Sequence, residues 1–100
     1  FLLWEFPLAY WMEQHGYDVT YVSNVDTHRD FGLISRGKVF LSVGHDEYWS
    51  IEMFNHVKRL IETGVNVAFL SGNTCCGVIE YLPDAQGNPC RSITRVGQYG

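Results

Sequence analysis

The segment Lys38-Val39-Phe40-Leu41-Ser42-Val43-Gly44-His45-Asp46-Glu47-Tyr48-Trp49-Ser50 decides the fold: an apolar run ends abruptly in three ionisable side chains and two aromatics. Val39, Phe40, Leu41 and Val43 are mostly β-branched or aromatic with no helical gap between them, which predicts a strand buried on both faces of a parallel sheet. Gly44 lets the chain turn. His, Asp and Glu then stand at the carboxyl end of a buried strand, where open α/β sheets bind ligands. If the chain stays extended past Gly44, His45 and Glu47 point one way and Asp46 the other, so that an imidazole and a carboxylate share one pocket wall.

Downstream, Ser50 is placed to cap a helix in which Ile51, Met53, Phe54, Val57, Leu60 and Ile61 form one stripe, with Gly64 as its stop. Asn66-Val67-Ala68-Phe69-Leu70 follows as a strand ending in Ser71-Gly72-Asn73-Thr74. Strand, helix, strand is a βαβ unit. A right-handed crossover makes its strands parallel and brings Gly44-His45 and Gly72-Asn73 to one edge of the sheet. Val78 to Leu82 and Cys90 to Val96, around a Pro-, Asp-, Gly- and Asn-rich turn, read as an appended β-hairpin. Upstream, residues 7 to 15 are predicted helical, with Pro7 at the start and Gly16 as the left-handed cap. Tyr17-Asp18-Val19-Thr20-Tyr21-Val22 alternates like a first strand. Asp26 or Thr27 is expected to cap a short helical turn holding Phe31, Leu33 and Ile34. His28, Arg29 and Asp30 read as a solvated loop.

The chain has 100 residues, 46% of them hydrophobic and 15% aromatic, enough for a packed core. It begins Phe-Leu-Leu-Trp and stops at Gln-Tyr-Gly, so the expectation is an incomplete single α/β domain over residues 1–100, a fragment of a larger subunit. A formal net charge of −4 without a Lys/Arg run points away from nucleic acid and anionic membrane surfaces, and toward a small ligand. No apolar stretch approaches the roughly 20 residues of a membrane span. Three cysteines, two of them adjacent, are unlike a disulfide framework and suit the thiols of a reducing compartment, the cytoplasm.

Each constellation has a plainer reading beside the functional one. His45 and Glu47 offer ordinary ligands to a first-row metal, yet a polar turn at a strand end explains them too. The His-x-Glu string also occurs in zinc deaminases, but no Pro-Cys-x-x-Cys half-site accompanies it: Pro89-Cys90 is followed by Arg91, Ser92 and Ile93. Cys75, with Gly77 two residues on, is half of a nucleophile elbow whose other glycine is replaced by Asn73; a packed, inert thiol is the alternative. Asn73 is a turn former as well as a substrate-facing amide.

Taken together, Gly16-Tyr17-Asp18-Val19, Asp26-Thr27-His28-Arg29-Asp30, Gly44-His45-Asp46-Glu47-Tyr48-Trp49-Ser50 and Ser71-Gly72-Asn73-Thr74-Cys75 resemble the large (beta) subunit of N,N-dimethylformamidase and its relatives, in order and in spacing. The resemblance implies a doubly wound parallel α/β sheet of the class I glutamine-amidotransferase-like, flavodoxin-like kind, only part of which these residues cover. It implies a mononuclear iron, Fe(III), held by two tyrosinates and one glutamate, with the glutamate at Glu47. His45 then faces the substrate or supports the ligands, and Asn73 lines the pocket. Both tyrosines of the family are expected upstream of Phe1, so that Tyr10, Tyr17, Tyr21 and Tyr48 are not taken as ligands. A lysine the family uses further along has no counterpart among residues 93 to 100.

The expected function is therefore an iron-dependent amidohydrolase that cleaves the C–N bond of a small N-alkylated amide. The resemblance leaves room for a small subunit and a homo-oligomer of the parent. The alternatives are a glutamine-amidotransferase-like cysteine hydrolase using Cys75, and a non-catalytic lobe kept for assembly.

Overall fold

The computed structural model describes residues 3–99. Among the described residues nine elements follow one another: α1 (Phe6–Gln14), α2 (Asn24–Arg29), α3 (Phe31–Ile34), β1 (Val39–His45), β2 (Tyr48–Trp49), α4 (Ile51–Glu62), β3 (Asn66–Gly72), β4 (Gly77–Leu82) and β5 (Ser92–Gln98). They form a mixed α/β structure with two sheets, β1-β3 and β2-β4-β5.

The expected βαβ unit is present. β1 and β3 pair in parallel from Val39 opposite Asn66 to His45 opposite Gly72, with α4 between them in sequence. Ser50 caps α4 by accepting from the Met53 amide at 3.1 Å. At the other end Gly64 takes φ +92°, while its amide donates to the Ile61 carbonyl and that of Val65 to the Leu60 carbonyl. This paired closure satisfies the last carbonyls and needs the left-handed residue that glycine supplies. The same device ends α1, where Gly16 at φ +77° donates to Glu13 and Tyr17 to Met12.

The core lies between α4 and the sheets. Trp49, Met53 and Val57 are buried together, with Phe40, Val67, Tyr81 and Tyr99 packed against them. Since Phe40 and Val67 meet this cluster, alternation turns Phe40, Ser42, Val67, Phe69 and Ser71 to the α4 face of the β1-β3 pair. Only half of the predicted α4 stripe is covered. Met53, Val57 and Leu60 are buried, while Ile51, Phe54 and Ile61 are 40–55% exposed.

The expectation that β1 is buried on both faces is corrected: Ser42 is its one buried residue, and Val39 is 53% exposed. The face opposite α4 carries the exposed Val39 and Leu70, whereas a full parallel sheet is covered on both faces. Tyr17 to Val22 is not a strand either. An extended segment becomes a strand only by pairing its backbone groups, and β1 pairs with β3 instead. The tyrosines of this segment fold back on α1: the Tyr17 ring stacks on Trp11 at 5.8 Å, and the Tyr21 hydroxyl donates to Glu13 Oε1 at 2.6 Å.

A third correction concerns residues 23–34, which form two short helices. Ser23 caps α2, and a reciprocal bond from the Ser23 amide to the Asp26 carboxylate completes a capping box. Asp30, not Asp26 or Thr27, caps α3, the turn that holds Phe31, Leu33 and Ile34, through the Leu33 amide. His28 is consequently helical rather than part of a solvated loop; its Nδ1 lies 2.8 Å from Ser50 Oγ, and Tyr81 packs against its ring at 4.7 Å. His56, on α4, reaches back to the Thr27 carbonyl at 2.7 Å. The β4-β5 hairpin is present as expected, antiparallel around a turn in which Asp84 accepts from the Gln86 and Asn88 amides. Its parallel pairing to β2 is additional.

Ser50 joins these layers, being buried, capping α4 and meeting His28 at once. Ser50→Ala is expected to destabilise the fold by about 1–2 kcal/mol, the upper range for loss of a cap, because His28 also loses its 2.8 Å contact and keeps only the Glu52 carboxylate at 3.6 Å. A urea-unfolding midpoint equal to that of the parent would contradict this.

Candidate functional site

The carboxyl ends of β1 and β3 lie side by side, and the chain leaves both as short, mutually bonded loops. The Asp46 amide donates to the Gly72 carbonyl at 3.3 Å, the Cys75 amide to the Asp46 carbonyl at 3.0 Å, and the Gly77 amide to the Glu47 carbonyl at 2.8 Å. Backbone pairing thus continues from β1-β3 into β2-β4.

Two glycines allow the approach. Gly44 has φ +89°, and a Cβ there would fall 2.5 Å from Glu5 Oε1, because the segment before α1 is seated on it. A Cβ at Gly77 would fall 2.8 Å from the Tyr48 ring. The turn after β3 holds non-glycine residues in the left-handed region, Asn73 at φ 49° and Cys75 at φ 57°. Each costs on the order of 1–3 kcal/mol, a strain that persists only where surrounding bonds fix it.

His45 and Glu47 come together as their spacing predicts: His45 Nε2 lies 3.0 Å from Glu47 Oε2, and Asp46 turns the other way. The contact requires the tautomer with hydrogen on Nε2, so that His45 donates and the carboxylate accepts. Glu47 is the more enclosed, its side chain 19% exposed against 54% for His45. A Cβ at Gly72 would sit 3.4 Å from His45 Nδ1, which places the imidazole beside the start of the Gly72-Asn73 turn. Asn73 therefore stands at the same edge of the sheet as the pair, as an exposed residue.

Among the described residues no group of three or more His, Cys, Asp and Glu side chains converges. Glu47 and His45 fit one side of a hard-metal site, with a carboxylate oriented by an imidazole N–H, and not a complete coordination sphere. The tyrosines inside the chain have other engagements. Tyr10 packs on Phe6, Tyr17 on Trp11, Tyr21 on Glu13, and Tyr48 against Gly77 with Arg95 over its ring.

A family profile described as N,N-dimethylformamidase beta subunit-like, C-terminal, matches residues 1–98. The chain belongs to this family. No curated protein and no solved structure matches it.

In this dimethylformamidase-like domain the thiol alternative finds little support. Burial, then the neighbouring Asp46 carboxylate and Cys76, push the Cys75 thiol up to about 11. Its side chain has no basic hydrogen-bond partner among the described residues. A nucleophilic cysteine needs the opposite surroundings, a cation or imidazole that stabilises thiolate. Iodoacetamide at pH 8 is therefore expected to label exposed Cys76 about tenfold or more faster than Cys75, since reactivity follows thiolate fraction and access. Equal rates, read by peptide mass spectrometry, would revive the thiol mechanism.

Between α4 and β3 lies an apolar groove of about 450 Å³ lined by residues including Trp49, Phe54, Ile61 and Phe69. It opens on the α4 face, whereas His45 lies on the opposite face by alternation.

The family member also contains polar residues that strand patterning does not single out. Asp46 Oδ2 accepts from Ser42 Oγ at 2.7 Å and Oδ1 from Asn24 Nδ2 at 3.0 Å; Ser42 Oγ meets Ser71 Oγ at 2.8 Å, and Ser71 Oγ meets Thr74 Oγ1. Ser42 and Ser71 look like ordinary strand residues until the register of β1 and β3 is known. The one available signal is that Ser42 interrupts an apolar run and Ser71 ends one.

Proposed function

We propose that this chain is the part of an iron-dependent amidohydrolase that contributes Glu47 as a ligand to a mononuclear Fe(III), in an enzyme that hydrolyses the C–N bond of a small N-alkylated amide to a carboxylic acid and an amine. The observation that carries this reading is the enclosed Glu47 carboxylate, oriented by His45 at the paired carboxyl ends of β1 and β3, in a chain of the dimethylformamidase-like family. Hard anionic oxygen donors suit Fe(III). When bound, the ion supplies Lewis acidity toward an amide carbonyl or a water.

The chain's own residues have separable tasks. Glu47 offers one carboxylate oxygen to the metal while the other accepts from His45, which fixes the carboxylate's orientation. His45, more than half exposed, is also available to orient water or to donate toward charge developing on the substrate oxygen. Asn73 offers a side-chain amide N–H to the substrate carbonyl from the same edge. The two tyrosinates are supplied from outside residues 1–100.

The fold reading extends in the same direction. Val39 and Leu70, both more than half exposed on the face opposite α4, support a wider doubly wound sheet of the glutamine-amidotransferase type, because parallel sheets are ordinarily covered on both faces. Three free thiols support a reducing compartment such as the cytoplasm, and the family description supports a subunit of a larger assembly.

The test is to purify the full-length protein, measure iron per chain, and follow amine release from N,N-dimethylformamide and its N-alkyl homologues. Iron near one per site together with amine release is expected. A metal-free protein inactive on every member of the series would favour the assembly lobe.

A further inference from the structure

We propose that Asp46 is the positioning residue of this site, locking the loop that carries Glu47 to the turn that carries Asn73; the inference rests on the iron-amidohydrolase reading above. Asp46 touches neither Glu47 nor His45 through its side chain, which turns to the opposite side of the loop. Its role follows from proton accounting.

An ionised carboxylate only accepts hydrogen bonds, so Ser42, with one hydroxyl proton, must spend it on Asp46 Oδ2. The Ser42–Ser71 contact must then run from Ser71 as donor to Ser42 as acceptor. Ser71 has no proton left, so in its contact with Thr74 the threonine donates, sharing its one hydrogen with the Ser71 carbonyl 3.1 Å away. One carboxylate thereby sets the direction of three hydroxyls crossing from β1 to the turn after β3. Asn24, at the start of α2, donates to its second oxygen.

The backbone of the same residue closes the arrangement. The Asp46 amide holds the Gly72 carbonyl, and the Asp46 carbonyl holds the Cys75 amide. These bonds bracket Asn73 and Thr74, and they fix a turn whose left-handed Asn73 and Cys75 would otherwise relax. Glu47 is the next residue along the chain. Asp46 therefore sets the relative placement of ligand and pocket amide without contacting either through its own side chain.

Asp46→Asn tests this, because the amide is nearly isosteric but has one acceptor oxygen and presents an NH₂ to a donor. With the NH₂ facing Ser42 the hydroxyl chain loses its direction; with it facing Asn24, that side chain loses its acceptor and the start of α2 its tie to the loop. Ser42→Ala is the second variant; it keeps the carboxylate, breaks the chain at its first link, and decides the matter if Asp46→Asn fails to fold. Glu47→Gln serves as the reference. In the full-length protein, iron affinity, the visible tyrosinate-to-iron charge-transfer band and the thermal midpoint are measured for all three.

Asp46→Asn is expected to weaken iron binding by about 10–100-fold, the usual cost of losing support around a ligand, and to shift the band. Ser42→Ala should move both in the same direction by less. Iron lost in Glu47→Gln but bound with parental affinity and spectrum by the other two variants would overturn the positioning role alone, even if their midpoints fall. Iron retained with an unchanged band in Glu47→Gln would overturn the reading on which the role rests, and the role with it.

Discussion

Glu47→Gln in the full-length protein is expected to abolish amide hydrolysis and to lower iron affinity by more than the about 10–100-fold that changes around a ligand typically cost. The substitution preserves shape and removes the charge that a hard trivalent ion requires. Glutamine can still accept from His45 through its carbonyl oxygen, so the local contact survives while the anionic donor is lost. The fold should hold, because Glu47 contributes to the β2-β4 junction through its backbone carbonyl, which accepts from Gly77 and is untouched. A thermal midpoint near the parent's, with iron and amine release both gone, is the expected combination. Full activity in this variant, or activity lost in Cys75→Ala instead, would transfer the chemistry to the thiol.

Met53→Ala should have the largest effect on stability, about 2–5 kcal/mol by the usual range for truncating a buried large side chain. Met53 is 1% exposed, packs with Trp49 and Val57, and receives the Tyr81 hydroxyl at its sulfur at 3.9 Å. Its loss opens a cavity where α4 meets β4, and it removes a contact of the tyrosine that packs on His28. For a domain of this size that corresponds to a fall of roughly 10 °C or more in thermal midpoint. A fall of only a degree or two would mean that the neighbouring side chains collapse into the space.

The parts of this fold legible in sequence were those in which one short segment carries its own signal. Ser50 followed by the α4 stripe, Gly16 and Gly64 at helix ends, and the turn cluster between β4 and β5 each encode a local geometry. The His45-Glu47 pairing was legible for the same reason, since alternation in an extended chain suffices to predict it.

What was not legible depends on partners distant in the chain. Tyr17 to Val22 has the composition of a strand, but composition does not supply a neighbouring ladder. His28 looked solvent-facing because its contact, Ser50, lies 22 residues away. The Asp46 network was hidden most completely. Its members come from the start of α2, from β1, and from β3 and the turn after it, and they meet only once the β1-β3 register sets Ser42 near Ser71.

The assignment of Glu47 as an iron ligand is tested most directly by anomalous X-ray scattering at the iron edge in crystals of the iron-loaded full-length protein. The expected result is one strong peak within bonding distance of a Glu47 carboxylate oxygen, at the edge of the sheet where His45 and Asn73 also stand. A peak coordinated by side chains that do not include Glu47 would contradict it.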